Sequence, residues 1–153
     1  MAVKSILIVC RGNICRSPMA EGFFNRELNN HSSDTLVTSA GITALVDYPA
    51  DPNAQKVMQE QGIDISTHRA RQLTDELARK ANLILVMSNS HLQFITRHFV
   101  ATKGKTFLLG HWRQFEVPDP YTQPHTAFEH TYDQINLAWQ DWKTRILSCQ
   151  MQN

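Results

Sequence analysis

The stretch Cys10-Arg11-Gly12-Asn13-Ile14-Cys15-Arg16-Ser17-Pro18 sets a cysteine, five residues, an arginine and a serine in one short segment. An apolar run precedes it and a helix-start signal closes it. In such a strand-to-helix loop the backbone N–H groups turn inward, and the helix N-terminus adds a positive partial charge. Together they form an anion cradle of phosphate size. Gly12 is expected to take a backbone angle that a Cβ would resist. Arg16 offers a planar fork that grips two phosphate oxygens, a geometry a point ammonium lacks. Cys10 is expected at the base, with the amides of Arg11, Asn13, Ile14 and Cys15 around the anion. A helix N-terminus, a nearby cation and the Ser17 hydroxyl all favour a thiolate. A thiolate beneath a bound phosphate suits in-line attack on phosphorus.

A phosphate ester also needs its leaving oxygen protonated. Pro118-Asp119-Pro120-Tyr121 supplies a candidate acid between two residues that stiffen the chain. Asp119 can serve as general acid when the ester breaks and as general base when water attacks. Tyr121 can stack on a substrate ring. Alone, Asp-Pro signals only a turn; its weight comes from sharing one sheet edge with the cysteine loop. Taken alone, the Cys–Arg spacing is also common by chance, and a strand-end cysteine is often a small packed hydrophobe. The combination with Gly12, Ser17-Pro18 and a preceding buried strand is what makes it specific. Cys10 and Cys15 are not joined to any His or Cys cluster at ligand spacing, so the chemistry is read without metal or cofactor.

These residues need elements to position them. Lys4–Cys10 and Leu83–Met87 read as strands covered on both faces, Thr106–Leu109 as a shorter strand, and Thr35–Ser39 as a weaker one. Ser17 as N-cap and Pro18 at the first helical position open a helix whose buried face carries Met19, Phe23 and Leu28. Pro52 opens a second helix that Gly62 closes, Thr74-Asp75-Glu76 caps a third, and Ser90–Phe99 forms a fourth. Phe128, Tyr132, Ile135, Trp139, Trp142 and Ile146 step by four and three, a core-facing stripe of helical period. Strands alternating with helices predict an α/β fold: a three-layer, four-stranded parallel twisted sheet with helices on both faces and a phosphate-binding loop after the first strand. Ligands of such sheets bind at the carboxyl ends of the strands.

The 153 residues are read as one domain, 1–153. Fifteen Lys and Arg against fourteen Asp and Glu give a net charge of +1, which argues against a dedicated nucleic-acid binder. The apolar runs Ile6–Cys10 and Leu83–Met87 are too short for a membrane span or the core of a signal peptide. A cytoplasmic location is therefore expected. The three cysteines, an odd number in such a chain, argue for chemistry or packing rather than disulfides.

These motifs resemble the low-molecular-weight protein-tyrosine phosphatases, and the resemblance spans nearly the whole chain. Beyond the two loops it rests on Thr38-Ser39-Ala40-Gly41, Asp51-Pro52, the segment from Gly62 to Gln72, and Gly110-His111-Trp112. It is strongest to the Wzb-like bacterial branch, whose members are paired with tyrosine autokinases of capsule and exopolysaccharide export. The segment Ala44-Leu45-Val46 stands where eukaryotic members carry a tryptophan. The resemblance implies Cys10 as nucleophile through a phosphocysteine, Arg16 as phosphate clamp, Asp119 as general acid and Ser17 as helper of the thiolate. It further implies Asn13, Ser39 and His68 as a hydrogen-bond network behind the loop, Leu45 and Tyr121 as ring walls, and an autokinase's cytoplasmic tail as partner.

Arg11 and Thr122 depart from the common family pattern, and both bear on substrate preference. Arg11 is expected either at the rim, where it would favour acidic phosphopeptides, or in a salt bridge to a nearby carboxylate. Cys15 lies close enough in sequence to trap an oxidised Cys10 as a disulfide; simple packing is the other reading. Two further functions remain. An arsenate reductase needs additional relay cysteines, and 82–89 contains none, with Cys149 in the last helix. A phosphocysteine carrier of a sugar-transport system would need neither Arg16 nor Asp119.

Overall fold

The computed structural model describes residues 3–151, with side chains through residue 147. Four parallel strands, β1 (Ser5–Cys10), β2 (Leu36–Gly41), β3 (Leu83–Val86) and β4 (Thr106–Leu108), form one sheet in the order β2-β1-β3-β4. Side chains alternate across a strand, and β1 divides its residues accordingly. Ile6, Ile8 and Cys10 face one core, Leu7 and Val9 the other. On the first face lie α1 (Arg16–Asn30), α2 (Pro52–Glu60) and α5 (His125–Met151); on the second lie α3 (Asp75–Lys80) and α4 (Asn89–His98). This is the three-layer architecture expected.

Boundaries differ from the sequence reading in instructive ways. The second strand runs Leu36–Gly41, because pairing with β1 carries it past Ser39 to Gly41 opposite Cys10. The fourth helix starts at Asn89, because the Ser88 side chain accepts from the His91 N–H and caps it. Helix α1 is corrected more substantially. It begins at Arg16 with Cys15 at the cap position and no side-chain cap bond, so Ser17 and Pro18 lie inside the first turn. A proline is tolerated there because the first-turn N–H groups have no helical partner. The Ser17 hydroxyl is left free for the cysteine loop.

All six stripe residues of α5 are buried, from Phe128 to Ile146. Trp139 packs edge-on to Phe24 of α1, with ring centroids 5.0 Å apart, and Tyr132 packs edge-on to Phe23. This clamp holds α1, and thus the loop before it, against the sheet. Trp139→Ala removes a side chain that is 1% exposed and should cost about 3–5 kcal/mol. Urea unfolding followed by far-UV circular dichroism is the measurement that checks it.

Candidate active site

Strand β1 lies between β2 and β3, so the chain leaves it in one direction through α1 and later returns on its other side. The cysteine loop sits at that switch point, where open parallel sheets bind ligands. Cys10, the last residue of β1, is 2% exposed, and its sulfur lies 2.9 Å from Ser17 Oγ. The segment after β2 is bonded directly onto this loop. Ile42, Thr43 and Leu45 donate their N–H groups to the carbonyls of Cys10, Arg11 and Gly12.

The left-handed residue of the loop is Asn13, with φ 61°, and not Gly12. Asparagine tolerates that conformation better than most residues with a Cβ. A Cβ at Gly12 would meet only ordinary contacts, at 3.8 Å from Ile14 and 4.0 Å from Leu45. Neither crowding nor a left-handed backbone therefore requires glycine at position 12. Asn13 is fully buried, and its partners fix its orientation. The Arg71 backbone N–H can only donate, so it takes Asn13 Oδ1, at 2.9 Å. The amide nitrogen then faces two hydroxyls, Ser17 Oγ at 2.7 Å and Ser39 Oγ at 3.0 Å. Having accepted from Asn13, the Ser17 hydroxyl keeps its own proton for the Cys10 sulfur. His68 Nε2 donates to the Asn13 carbonyl at 2.7 Å, which defines the ring tautomer. The structure thus brings Asn13, Ser17, Ser39 and His68 together behind Cys10.

Arg16 is a buried cation, 5% exposed. Its Nη1 donates to the Val117 carbonyl at 2.9 Å, and Nη2 lies 3.7 Å from Asp119 Oδ2. Its Nε is buried without a protein partner. A buried cationic donor costs free energy unless satisfied, so this edge of the fork suits an anion in the loop. Asp119 and Tyr121 are exposed, and the Tyr121 N–H donates to Asp119 Oδ1 at 3.1 Å. A cavity of about 410 Å³ opens in front of the loop, lined by Arg11, Gly12, Ile14, Thr43, Leu45, Asp119 and Tyr121. Cys15 is buried, 4% exposed, and its thiol is pushed strongly upward by burial, then by Asp51 and Cys10. It is held as a thiol, the form least able to attack an oxidised sulfur. Both Cys10 and Cys15 are free; the Cys149 side chain lies outside the described residues. Among the described residues no three His, Cys, Asp or Glu side chains gather where they could hold a metal.

Three site residues carried no sequence signal. Thr43 lines the cavity, and Glu21 accepts from Ser39 Oγ at 2.6 Å. His91, at the start of α4, has Nδ1 buried without a partner. Its pKa is lowered to about 4 by burial and then by the Arg16 charge, against the opposing pull of Asp119 and Glu116. Each depends on contacts between distant segments, which no local pattern announces.

The family model for low molecular weight phosphotyrosine protein phosphatase matches residues 5–151. A relative in Ralstonia nicotianae, the probable low molecular weight protein-tyrosine-phosphatase EpsP, is 48% identical, covering 94% of this chain and 97% of its own. The solved structure of Vibrio vulnificus Wzb in complex with benzylphosphonate superposes with a TM-score of 0.88 at 39% identity, over 94% of this chain and 99% of that one. YwlE, described as an arginine phosphatase and solved with a phosphorylated serine in place of its active-site cysteine, matches at 30% identity and a TM-score of 0.88, over 93% of this chain and 95% of that one. The chain belongs to the low molecular weight phosphotyrosine protein phosphatases, a family of cysteine-dependent hydrolases. Among the described residues no helix is long and apolar enough to cross a membrane.

His91 gives the fold a pH dependence. Its folded pKa of about 4 lies below the ordinary 6.5, so the unfolded chain binds the proton more readily. Stability from this group is present above pH 6.5 and is lost as pH falls toward 4. His91→Asn should flatten that loss by about 2 kcal/mol, read from urea midpoints between pH 4 and 7.

Proposed function

We propose that this chain hydrolyses protein phosphotyrosine through a phosphocysteine intermediate. The observation that carries the reading is that the end of β1 and the start of α1 bury together the Cys10 sulfur, the Ser17 hydroxyl 2.9 Å away and the unpartnered Arg16 Nε. Cys10 attacks phosphorus as a thiolate. The P–O bond to the tyrosyl oxygen breaks, and Asp119 gives that oxygen a proton. Asp119 then takes a proton from water as the water attacks phosphocysteine, releasing inorganic phosphate and the thiolate. Arg16 and the loop amides hold the equatorial oxygens throughout. The phosphorylated serine that replaces the active-site cysteine of YwlE supports a covalent phosphoenzyme at this position of the scaffold. Ile14, Leu45 and Tyr121 give the cavity apolar walls suited to an aryl ring.

The protein partner is the cytoplasmic tail of a membrane tyrosine autokinase of capsule or exopolysaccharide export, and the chain acts in the cytoplasm. Support comes from the similarity to EpsP and Wzb. A phosphocysteine carrier has no use for Asp119, and an arsenate reductase would need relay cysteines that 82–89 of this chain does not contain.

Cys10→Ser should abolish metal-free release of phosphate from p-nitrophenyl phosphate while phosphopeptide binding persists; turnover by the pure variant refutes the nucleophile. A carrier would release at most one nitrophenol per chain and retain the phosphoryl group on sulfur. Asp119→Asn should lose ~10²–10⁴-fold on poor leaving groups and less on acidic phenols. Steady-state kinetics across an aryl phosphate series reads that slope.

Arg11 is exposed at the cavity mouth. A rim cation acts through screened attraction worth ~0.2–1 kcal/mol. Arg11→Leu should reduce kcat/KM for acidic phosphopeptides severalfold at low salt and little at high salt. The same acidic preference and salt response in the variant would remove Arg11 from recognition.

A further inference from the structure

The hydrogen-bond chain behind Cys10 does not end at Ser39. Ser39 Oγ accepts from Asn13 Nδ2 and lies 2.6 Å from Glu21 Oε1. A carboxylate can only accept, so Ser39 donates its proton to Glu21 and turns a lone pair toward Asn13. Donor and acceptor roles then run in one direction: Asn13 to Ser39 to Glu21 on one branch, and Asn13 to Ser17 to Cys10 on the other. We propose that Glu21 is a positioning residue for the cysteine loop, acting as the terminal acceptor that fixes the polarity of the network supporting the Cys10 thiolate.

The placement of Glu21 favours this role over a surface one. It lies on the second turn of α1, partly buried, and lines a small polar cleft with Ser39, His68 and Arg71. Ser39 and the Arg71 N–H hold the Asn13 side-chain amide, His68 holds its carbonyl, and Arg71 Nε donates to the Ser39 carbonyl. Glu21 contacts neither Cys10 nor the cavity in front of it, and its effect must pass through Ser39. Without an acceptor at Glu21, the Ser39 proton is free to rotate toward Asn13. Two donors then meet, and the amide loses one of the bonds that hold it. The Ser17 proton is no longer uniquely committed to the sulfur.

The inference rests on Cys10 being the nucleophile, and the two can fail separately. Iodoacetate alkylation of Cys10 reads the sulfur without turnover, and mass spectrometry locates the adduct. In Glu21→Met the pH profile of alkylation should move to higher pH. Its kcat/KM should fall by roughly three- to tenfold at the acid end and recover toward wild type as pH rises, a range set by the loss of about one hydrogen bond. Glu21→Gln, whose amide oxygen can still accept, should restore most of the wild-type profile. Glu21→Met combined with Ser39→Ala should be no worse than Ser39→Ala alone. Alkylation and kcat/KM profiles of Glu21→Met that superimpose on wild type would overturn the proposal. So would a loss equal at every pH, or additive effects of the Glu21 and Ser39 substitutions.

Discussion

Asn13 sits in a left-handed backbone conformation with its side chain sealed in the interior, and the site is organised around its amide. One carboxamide offers one acceptor and two donors. The backbone of Arg71 takes the acceptor, and two serine hydroxyls take the donors. Because a hydroxyl that accepts still has a proton to give, each serine becomes a directed donor, one toward Cys10 and one toward Glu21. Hydroxyl protons otherwise rotate among several partners. Here a single backbone N–H, 58 residues away in sequence, removes that freedom.

The second constraint is the burial of Arg16. A guanidinium in the interior must have its donors answered, and the protein answers them only in part. The Val117 carbonyl takes one nitrogen, and Asp119 stands at ion-pair distance from another. The same interactions draw the segment between β4 and α5 over the cysteine loop. The candidate clamp and the candidate acid are thus located by one charge. The neighbouring imidazole of His91 is kept neutral by burial and by the same cation.

The sequence made the chemistry legible wherever it was local. The cysteine loop, the Asp119 turn and the α5 stripe are each contained in one segment, and all three occupy the places their patterns imply. Ser17-Pro18 has the form of a cap signal, but tertiary hydrogen bonds use the Ser17 hydroxyl and Cys15 takes the cap position. Glycine's freedom alone points to Gly12 for the left-handed position, yet Asn13 takes it because its side chain is anchored there. Glu21, Thr43 and His91 were invisible for a different reason. Their significance depends on which segments the sheet order brings together, and nothing in an isolated Glu or His reports that. Asn13, Ser39 and His68 were legible only through resemblance to a family.

The strand order carries a consequence for how the protein comes into being. Strand β1 is made first but lies in the interior of the sheet, flanked by strands that follow it. The groups that hold its loop come from 26, 55 and 58 residues beyond Asn13, and Arg16 finds its carbonyl 101 residues on. Such non-local contacts form late and slowly. A chain emerging from the ribosome therefore carries the cysteine loop before most of its partners exist, and one clipped before its last third lacks the Val117 carbonyl that holds Arg16. The surroundings of the Cys10 sulfur belong to the finished molecule alone.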